Sequence, residues 1–190
     1  MPHPPGSRTS RCPAGARSGP RHGAARRGDT EGTPMLIRGA RAADAGPACD
    51  LARRSITELC VADWRGDPQV LAAWLANKVP AEFRRWIGRA DRAVCVAERE
   101  DGRLAGVGMV AWRGEIQLNY VAPEARFQGV GKALMAHMEG HLRDRGVAQA
   151  SLFSTQVAAR FYRSLGYAET GRETSRFGTL DIIAMVKRLG

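Results

Sequence analysis

The chain has 190 residues, of which 44% are apolar and 25% charged, and its formal net charge is +10. This composition is ordinary for a globular domain and excludes collagen-like, coiled-coil and wholly disordered classes. No apolar run approaches the roughly 20 residues that a membrane-spanning helix needs, so we expect neither an integral membrane protein nor a membrane partner.

The cysteines indicate a reducing compartment. The four of them, Cys12, Cys49, Cys60 and Cys95, are widely separated. They form no CxxC pair and are too sparse for a disulfide scaffold. We therefore expect reduced thiols in a cytoplasmic protein.

Residues 1–34 differ sharply in composition from the rest. They hold six of the ten prolines and six arginines against Asp29 and Glu31, with no Val, Leu, Ile, Phe, Tyr or Trp. Without apolar side chains to bury, the segment cannot offset an ordering cost of about 1–2 kcal/mol per residue, so we expect a disordered basic tail. A nucleic-acid-binding arm, a transit peptide and an extension without function are the alternatives, and we favour the last. The folded domain is then expected over residues 35–190.

Apolar periodicity and turn residues predict the elements of that domain in chain order. Helices are predicted at 43–60, from Asp67-Pro68 onward, from Pro80 onward, at 129–145 and at 155–165. Strands are predicted at 36–40, 93–97, 104–112, 115–121, 147–153, 167–170 and 180–186. This order favours an α/β (α+β) fold with a single mixed, mostly antiparallel central sheet flanked by helices.

The helix after the third strand of the antiparallel run opens at two glycines, Gly129 and Gly131. Glycines let the backbone approach a ligand, and the free N–H groups of a first helical turn suit a phosphate or pyrophosphate. Arg126 and Lys132 add positive charge there. The segment is not a P-loop, because Ala133 follows the lysine where Ser or Thr is required, and it lacks the third glycine of a dinucleotide-binding fingerprint.

Two sequence blocks carry a family resemblance. Residues 126–131, Arg-Phe-Gln-Gly-Val-Gly, fit the pattern Q/R-x-x-G-x-G/A, and residues 155–167 fit N-x-x-A-x-x-F-Y-x-x-x-G-F/Y except that Thr155 replaces the Asn. On these blocks the chain resembles the GCN5-related N-acetyltransferase (GNAT) superfamily over about residues 36–189. The resemblance implies an acyl-CoA N-acyltransferase fold that uses acetyl-CoA as acyl donor and needs no metal. It also implies a set of cofactor-binding residues, namely Tyr120, Val121, Arg126, Gln128, Gly129, Val130, Gly131, Lys132, Ala133, Thr155, Ala158 and Phe161.

The resemblance further assigns catalytic roles. Tyr162 is expected to be the general acid that protonates the leaving thiolate, the alternative being a half-buried aromatic that only packs. Glu115 is expected to be the general base, the alternative being an exposed glutamate at a strand end. Asn119 falls on the same side of the strand alternation as Glu115 and could orient a water or the substrate. The backbone around Asn119–Val121 is expected to bulge from the neighbouring strand and hydrogen-bond the thioester.

Two further residue sets have structural explanations. His137 and His141 lie four apart on one helix, but no third metal ligand stands out, so we favour a solvated helix face. Trp64, Trp74 and Trp86 are expected in the core, with the alternative that one of them lines the acceptor pocket.

Three functions remain open on the sequence. The first is an N-acetyltransferase in which a primary amine of a small molecule or a protein attacks acetyl-CoA directly. The second is a non-catalytic acyl-CoA-binding regulator, because a fold and a cofactor loop do not guarantee turnover. The third, a nucleic-acid-binding protein, is suggested only by the charge and the tail. A homodimer is left open.

Overall fold

The computed structural model describes residues 35–174 and 181–190, so the tail and the predicted strand start at Leu180 lie outside the described residues. The strands are β1 (Met35–Gly39), β2 (Arg92–Arg99), β3 (Leu104–Ala111), β4 (Glu115–Val121), β5 (Gln149–Ser154), β6 (Ala168–Thr174) and β7 (Asp181–Arg188). The helices are α1 (Ala45–Leu59), α2 (Val61–Trp64), α3 (Pro68–Leu75), α4 (Pro80–Ile87), α5 (Val130–Arg143) and α6 (Gln156–Ser164).

The strands form one mixed sheet in the order β1-β2-β3-β4-β5-β7-β6. Its neighbours pair antiparallel except β4 and β5, which are parallel. The α5 helix supplies the crossover that a parallel pair requires. The predicted mixed, mostly antiparallel sheet is thereby confirmed.

Two glycines end helices as the sequence predicts, and they also delay the strands that follow. Gly146 and Gly166 have φ of 71° and 87°, a region that glycine adopts at little cost. Beside them, Val147 N–H donates to Leu142 at 3.0 Å, and Tyr167 N–H donates to the Tyr162 carbonyl at 3.1 Å. These bonds close each helix with a Schellman pattern, so β5 and β6 begin two residues and one residue later than predicted.

Close packing of α5 on the centre of the sheet positions the site. A Cβ at Gly106 would lie 2.8 Å from Leu134 Cδ1, and a Cβ at Gly108 would lie 2.9 Å from Met138 Sδ. Only glycine leaves room for such an approach, because protein interiors are close-packed. The start of α5 is therefore held firmly beside the end of β4.

A second, smaller cluster joins α1, α3 and the sheet. Ile56 and Trp74 are buried at its centre, and Trp64, Tyr120 and Ile182 pack around them. No helix in the described part of the chain is both long and apolar enough to cross a membrane. Cys49, Cys60 and Cys95 are free thiols.

Candidate active site

The sheet opens between its two parallel strands. β4 pairs with β5 only at Glu115 with Ser151 and at Ile116 with Leu152. Beyond Ile116, β4 continues to pair with β3 as far as Val121, but it has no further ladder partner in β5. The two strands therefore leave a wedge at the C-terminal end of β4, where backbone groups can pair with a ligand. The expected bulging at Asn119–Val121 is thus a separation from β5, since pairing with β3 is continuous there.

The glycine turn (residues 126–131) lies at the mouth of this wedge. Phe127 and Gly129 have φ of 64° and 80°, and Gly129 is the N-cap of α5. No side-chain hydrogen bond caps the helix, and Phe127 is 91% exposed, its ring beneath the Arg126 guanidinium at 4.5 Å. The left-handed backbone turns the chain so that the N–H groups of the first α5 turn face outward.

Gly131 brings the turn close to both walls of the wedge. A Cβ at this position would lie 3.4 Å from Val121 Cγ2 and 3.4 Å from Phe161 Cζ. The space is narrow, it adjoins a helix start that no side chain caps, and the exposed side chains of Arg126 and Lys132 lie on the same turn. These residues fit a diphosphate at the helix N-terminus with a chain running between β4 and α6.

Tyr162 lies beside the wedge on α6. Its ring is buried against Phe161 and Tyr167, with centroid distances of 5.1 and 6.0 Å. Burial raises the pKa of Tyr162 to about 12, although a hydrogen bond from Asn119 acts in the opposite direction. The phenol is therefore fully protonated at neutral pH, as a proton donor must be.

Asn119 presents an unsatisfied acceptor at the same place. Its Oδ1 is buried and has no hydrogen-bond partner among the described residues. Its Nδ2 lies 3.7 Å from the position of a Cβ on Gly131, so the amide is directed toward the glycine turn. Buried polar atoms in proteins are nearly always paired, so this oxygen is a candidate contact for a ligand N–H.

The structure does not bring Glu115 to Tyr162. Glu115 forms an ion pair with Arg113 at the opposite end of β4, about 10 Å from Asn119, because their β3 partners are three residues apart at a strand rise of about 3.3 Å per residue. The predicted shared face is also wrong. Gln117 is an extra residue where the β3–β4 register shifts, so Glu115 pairs with Ala111 and Asn119 with Gly108, three residues apart and on opposite faces.

The α6 residues of the second sequence block line the wedge from the other side. Thr155 is the N-cap of α6, and its Oγ1 accepts the Ala158 N–H at 3.4 Å. This hydroxyl is engaged in capping, which is a different role from the pantetheine contact expected of an Asn. Ala158 and Phe161 are partly buried on the same helix and pack against the main core.

Sequence reasoning missed the corner between α1 and α6, which we call the α2 corner (residues 60–64). Asp63 Oδ1 accepts the Val157 N–H at 3.2 Å, so α2 is joined to the first turn of α6. Burial and the Asp63 charge raise the pKa of Cys60 to about 12, and Arg126 opposes the shift. Cys60 in turn raises the pKa of Tyr162. A four-residue helix has no apolar periodicity, so no sequence signal marked this corner.

Three tryptophans lie in or beside the core clusters, and two histidines lie on α5. Trp86 and Trp74 are buried, as expected, while the partly buried Trp64 donates its Nε1–H to the Ile56 carbonyl at 3.3 Å. The Nε2 atoms of His137 and His141 are 3.2 Å apart on α5. The described residues contain no group of three or more His, Cys, Asp or Glu side chains that could hold a metal ion.

Comparison with known sequences gives the family. Residues 61–189 match a family model described as an acetyltransferase (GNAT) domain, and the chain belongs to this family. A curated relative, streptothricin acetyltransferase from Streptomyces lavendulae, is 34% identical over 96 residues. The match covers 46% of this chain and 51% of the relative, so the chain spans about half the length of the curated protein that it matches.

Solved structures agree on the fold. A GCN5-related N-acetyltransferase from Rhodopseudomonas palustris superposes with a TM-score of 0.74 and 21% identity, over 85% of this chain and 99% of that one. The PaiA N-acetyltransferase from Thermoplasma acidophilum, solved in complex with coenzyme A, has a TM-score of 0.67 and 20% identity, over 82% and 99%. The seven-stranded sheet is therefore the GNAT fold.

Proposed function

We propose that this chain is an N-acetyltransferase that moves the acetyl group of acetyl-CoA to a primary amine by direct attack. The observation that best supports this is the buried, protonated Tyr162 hydroxyl beside Asn119, at the point where β4 leaves β5. A proton donor at an opening lined by a helix N-terminus suits the departure of a thiolate from a phosphate-bearing carrier.

The residues that would hold the donor surround the wedge. The N–H groups of Val130 and Gly131, with the Arg126 and Lys132 side chains, would bind the diphosphate of coenzyme A. Gln128 lies within this turn and Ala133 follows it, and the Gln128 side chain donates to the Glu124 carbonyl at 2.9 Å, which fixes the turn. Acetyl-CoA, when bound, supplies a thioester carbonyl activated for attack.

The other wall completes the channel. Ala158, Phe161 and the capping Thr155 would line the pantetheine from α6. The main chain of Tyr120 and Val121, at the end of β4 that pairs with β3 but not with β5, would donate to the thioester oxygen as it gains charge.

The chemistry assigned to Tyr162 balances. The acceptor ammonium first loses a proton to solvent and becomes a nucleophilic amine. A C–N bond then forms as the C–S bond breaks, and the leaving sulfur receives the Tyr162 proton. The proton that the nitrogen loses as it becomes an amide returns through solvent to the Tyr162 oxygen. Because burial raises the pKa of Tyr162 to about 12, the phenol carries its proton throughout the neutral range. The Asn119 side chain, which hydrogen-bonds the phenol, holds the ring in place. Glu115 has no part in this scheme, since it lies on the opposite face.

For the acceptor, we propose an amine of a small molecule. The support is the curated relative, whose name refers to streptothricin, a small molecule. The test uses the full chain with acetyl-CoA and a panel of amines that includes streptothricin. Thiol release and product mass are measured together. We expect amine-dependent release of coenzyme A and a product heavier by one acetyl group. Tight binding of acetyl-CoA without release would instead indicate a non-catalytic acyl-CoA-binding regulator.

A further inference from the structure

Asp63 joins α2 to α6 through only one of its two carboxylate oxygens. Oδ1 accepts the Val157 N–H at 3.2 Å, and this bond satisfies one free donor of the α6 first turn. Oδ2 is shielded from solvent and has no hydrogen-bond partner within the described ranges. Capping α6 needs one oxygen, so the helix cap does not account for the second.

Few buried side-chain atoms lack a partner. Over residues 35–174 and 181–190 they are Asp63 Oδ2, Asn119 Oδ1 and Arg99 Nη2. Two of these three are acceptor oxygens: Asn119 hydrogen-bonds Tyr162, and Asp63 binds the first turn of α6, the helix that carries Tyr162. A buried acceptor without a donor costs about 1–3 kcal/mol, and more when it is charged. Because a carboxylate oxygen only accepts, the missing partner must bring N–H or O–H groups.

The surroundings of Asp63 favour a cationic partner. The neighbouring Trp64 belongs to the aromatic and apolar cluster with Trp74 and Tyr120, and ring faces attract ammonium groups. Arg126 does not fill the position, because its guanidinium stacks on Phe127 at 4.5 Å. An aliphatic amine is mostly an ammonium ion at neutral pH, with a pKa near 10.4.

We propose that Asp63 Oδ2 binds the ammonium group of the acceptor and thereby selects protonated aliphatic amines over uncharged ones. The assignment rests on the proposed acetyltransferase function and adds the acceptor side of that site. Asp63 is a binding residue in this scheme, and the proton transfer to sulfur remains with Tyr162. Cys60, which feels the charge of Asp63, and Trp64 belong to the same apolar cluster as Tyr120 at the end of β4.

The decisive variant is Asp63→Asn. The amide oxygen can still accept the Val157 N–H, while an N–H donor replaces the acceptor at Oδ2 and repels an ammonium group. We expect the KM for an aliphatic amine to rise about 10–100-fold, as for the loss of a charged hydrogen bond of about 1.5–3 kcal/mol. The dissociation constant of acetyl-CoA, measured by calorimetry, should change less than about three-fold.

Asp67→Asn is the matched control. Asp67 is an exposed N-cap of α3, whose Oδ1 accepts the N–H groups of Gln69 and Val70 at 2.8 and 3.4 Å. Asn caps a helix as well as Asp does, so this variant removes the same charge four residues away without removing the cap. Both the amine KM and the acetyl-CoA dissociation constant should stay within about two-fold of the wild type.

A second measurement does not depend on any variant. The wild-type enzyme should show a KM at least about ten-fold lower for an alkyl amine than for an arylamine that is uncharged at pH 7.

The possible results distinguish failure of the Asp63 assignment from failure of the acetyltransferase proposal. An unchanged amine KM in Asp63→Asn, or an equal KM for the two amine classes, overturns the Asp63 assignment alone. A weaker acetyl-CoA affinity in Asp63→Asn with an unchanged amine KM also overturns it and makes Asp63 a structural link to α6. Wild-type protein that binds acetyl-CoA and consumes none with any amine overturns the acetyltransferase proposal and this assignment together.

Discussion

The glycine turn and the α2 corner approach Tyr162 from two sides, but they are built in different ways. The turn depends on backbone: positive φ at Phe127 and Gly129 and an uncapped helix start. The α2 corner depends on side chains, with Asp63 and Cys60 placed by a four-residue helix. A backbone site restricts which residues fit and leaves a glycine spacing in the sequence. A side-chain site on a short helix leaves no periodic signal, so the proposed donor side of the site can be predicted from sequence and the proposed acceptor side cannot.

The largest effect on activity is expected at Tyr162, which the glycine turn and the α2 corner both approach. Tyr162→Phe keeps the ring and removes the proton donor, so kcat should fall by about 10²-fold or more, with acetyl-CoA affinity nearly unchanged. In the wild type, kcat should not decline between pH 7 and 10 through loss of this proton, because the pKa of Tyr162 is raised to about 12. Steady-state kinetics across that pH range provide the measurement.

Tyr167→Phe is the control for that variant. Tyr167 is also buried, 6.0 Å from Tyr162, but its hydroxyl donates to Glu139 Oε1 at 3.1 Å, away from the wedge. Removing the Tyr167 hydroxyl should lower thermal stability and leave kcat within about three-fold of the wild type, because the lost hydrogen bond has only a structural role. Equal kcat values for the two variants would show that Tyr162 is not the proton donor.

A smaller effect is expected on the donor side. Gly131→Val adds methyl groups where a Cβ alone already lies 3.4 Å from Val121 and Phe161. Overpacking of this kind costs about 1–3 kcal/mol, so acetyl-CoA affinity should fall about 10–100-fold by calorimetry. A Cβ at Gly140, on the same helix, would meet nothing within 4 Å, so Gly140→Val should bind acetyl-CoA with the wild-type affinity. Normal binding by Gly131→Val would mean that the donor does not pass between β4 and α6.

The smallest effect is expected at the far end of β4. Glu115→Gln should leave kcat/KM and its pH profile within about two-fold of the wild type, because Glu115 is about 10 Å from Asn119 and on the other face of the sheet. A general base contributes about 10²–10⁴ to the rate. A loss of that size, with a flattened acidic limb, would return Glu115 to the mechanism and contradict the face assignment.

Patterns that act over a few residues predicted much of the molecule. Strand alternation, the helix-ending glycines and the two sequence blocks gave the element order, the mixed sheet and the neighbourhood of Tyr162. The prediction failed where one residue breaks a pattern. Gln117 is inserted in β4, so the simple alternation put Glu115 and Asn119 on one face. No local rule detects a bulge whose cause is pairing with a neighbouring strand.

The same inserted residue bears on how the site could change over time. A substitution in β4 replaces a side chain but leaves every other residue on its face. Removing Gln117 would restore strict alternation and would keep every other β4 side chain on its present face, because Ile116 and Leu118 already pair with adjacent β3 residues. The buried side chains of Ile116 and Leu118 would therefore stay in place. This strand can lose one residue at its bulge without any buried side chain changing face, whereas a residue lost from a regular strand reverses the faces of all that follow.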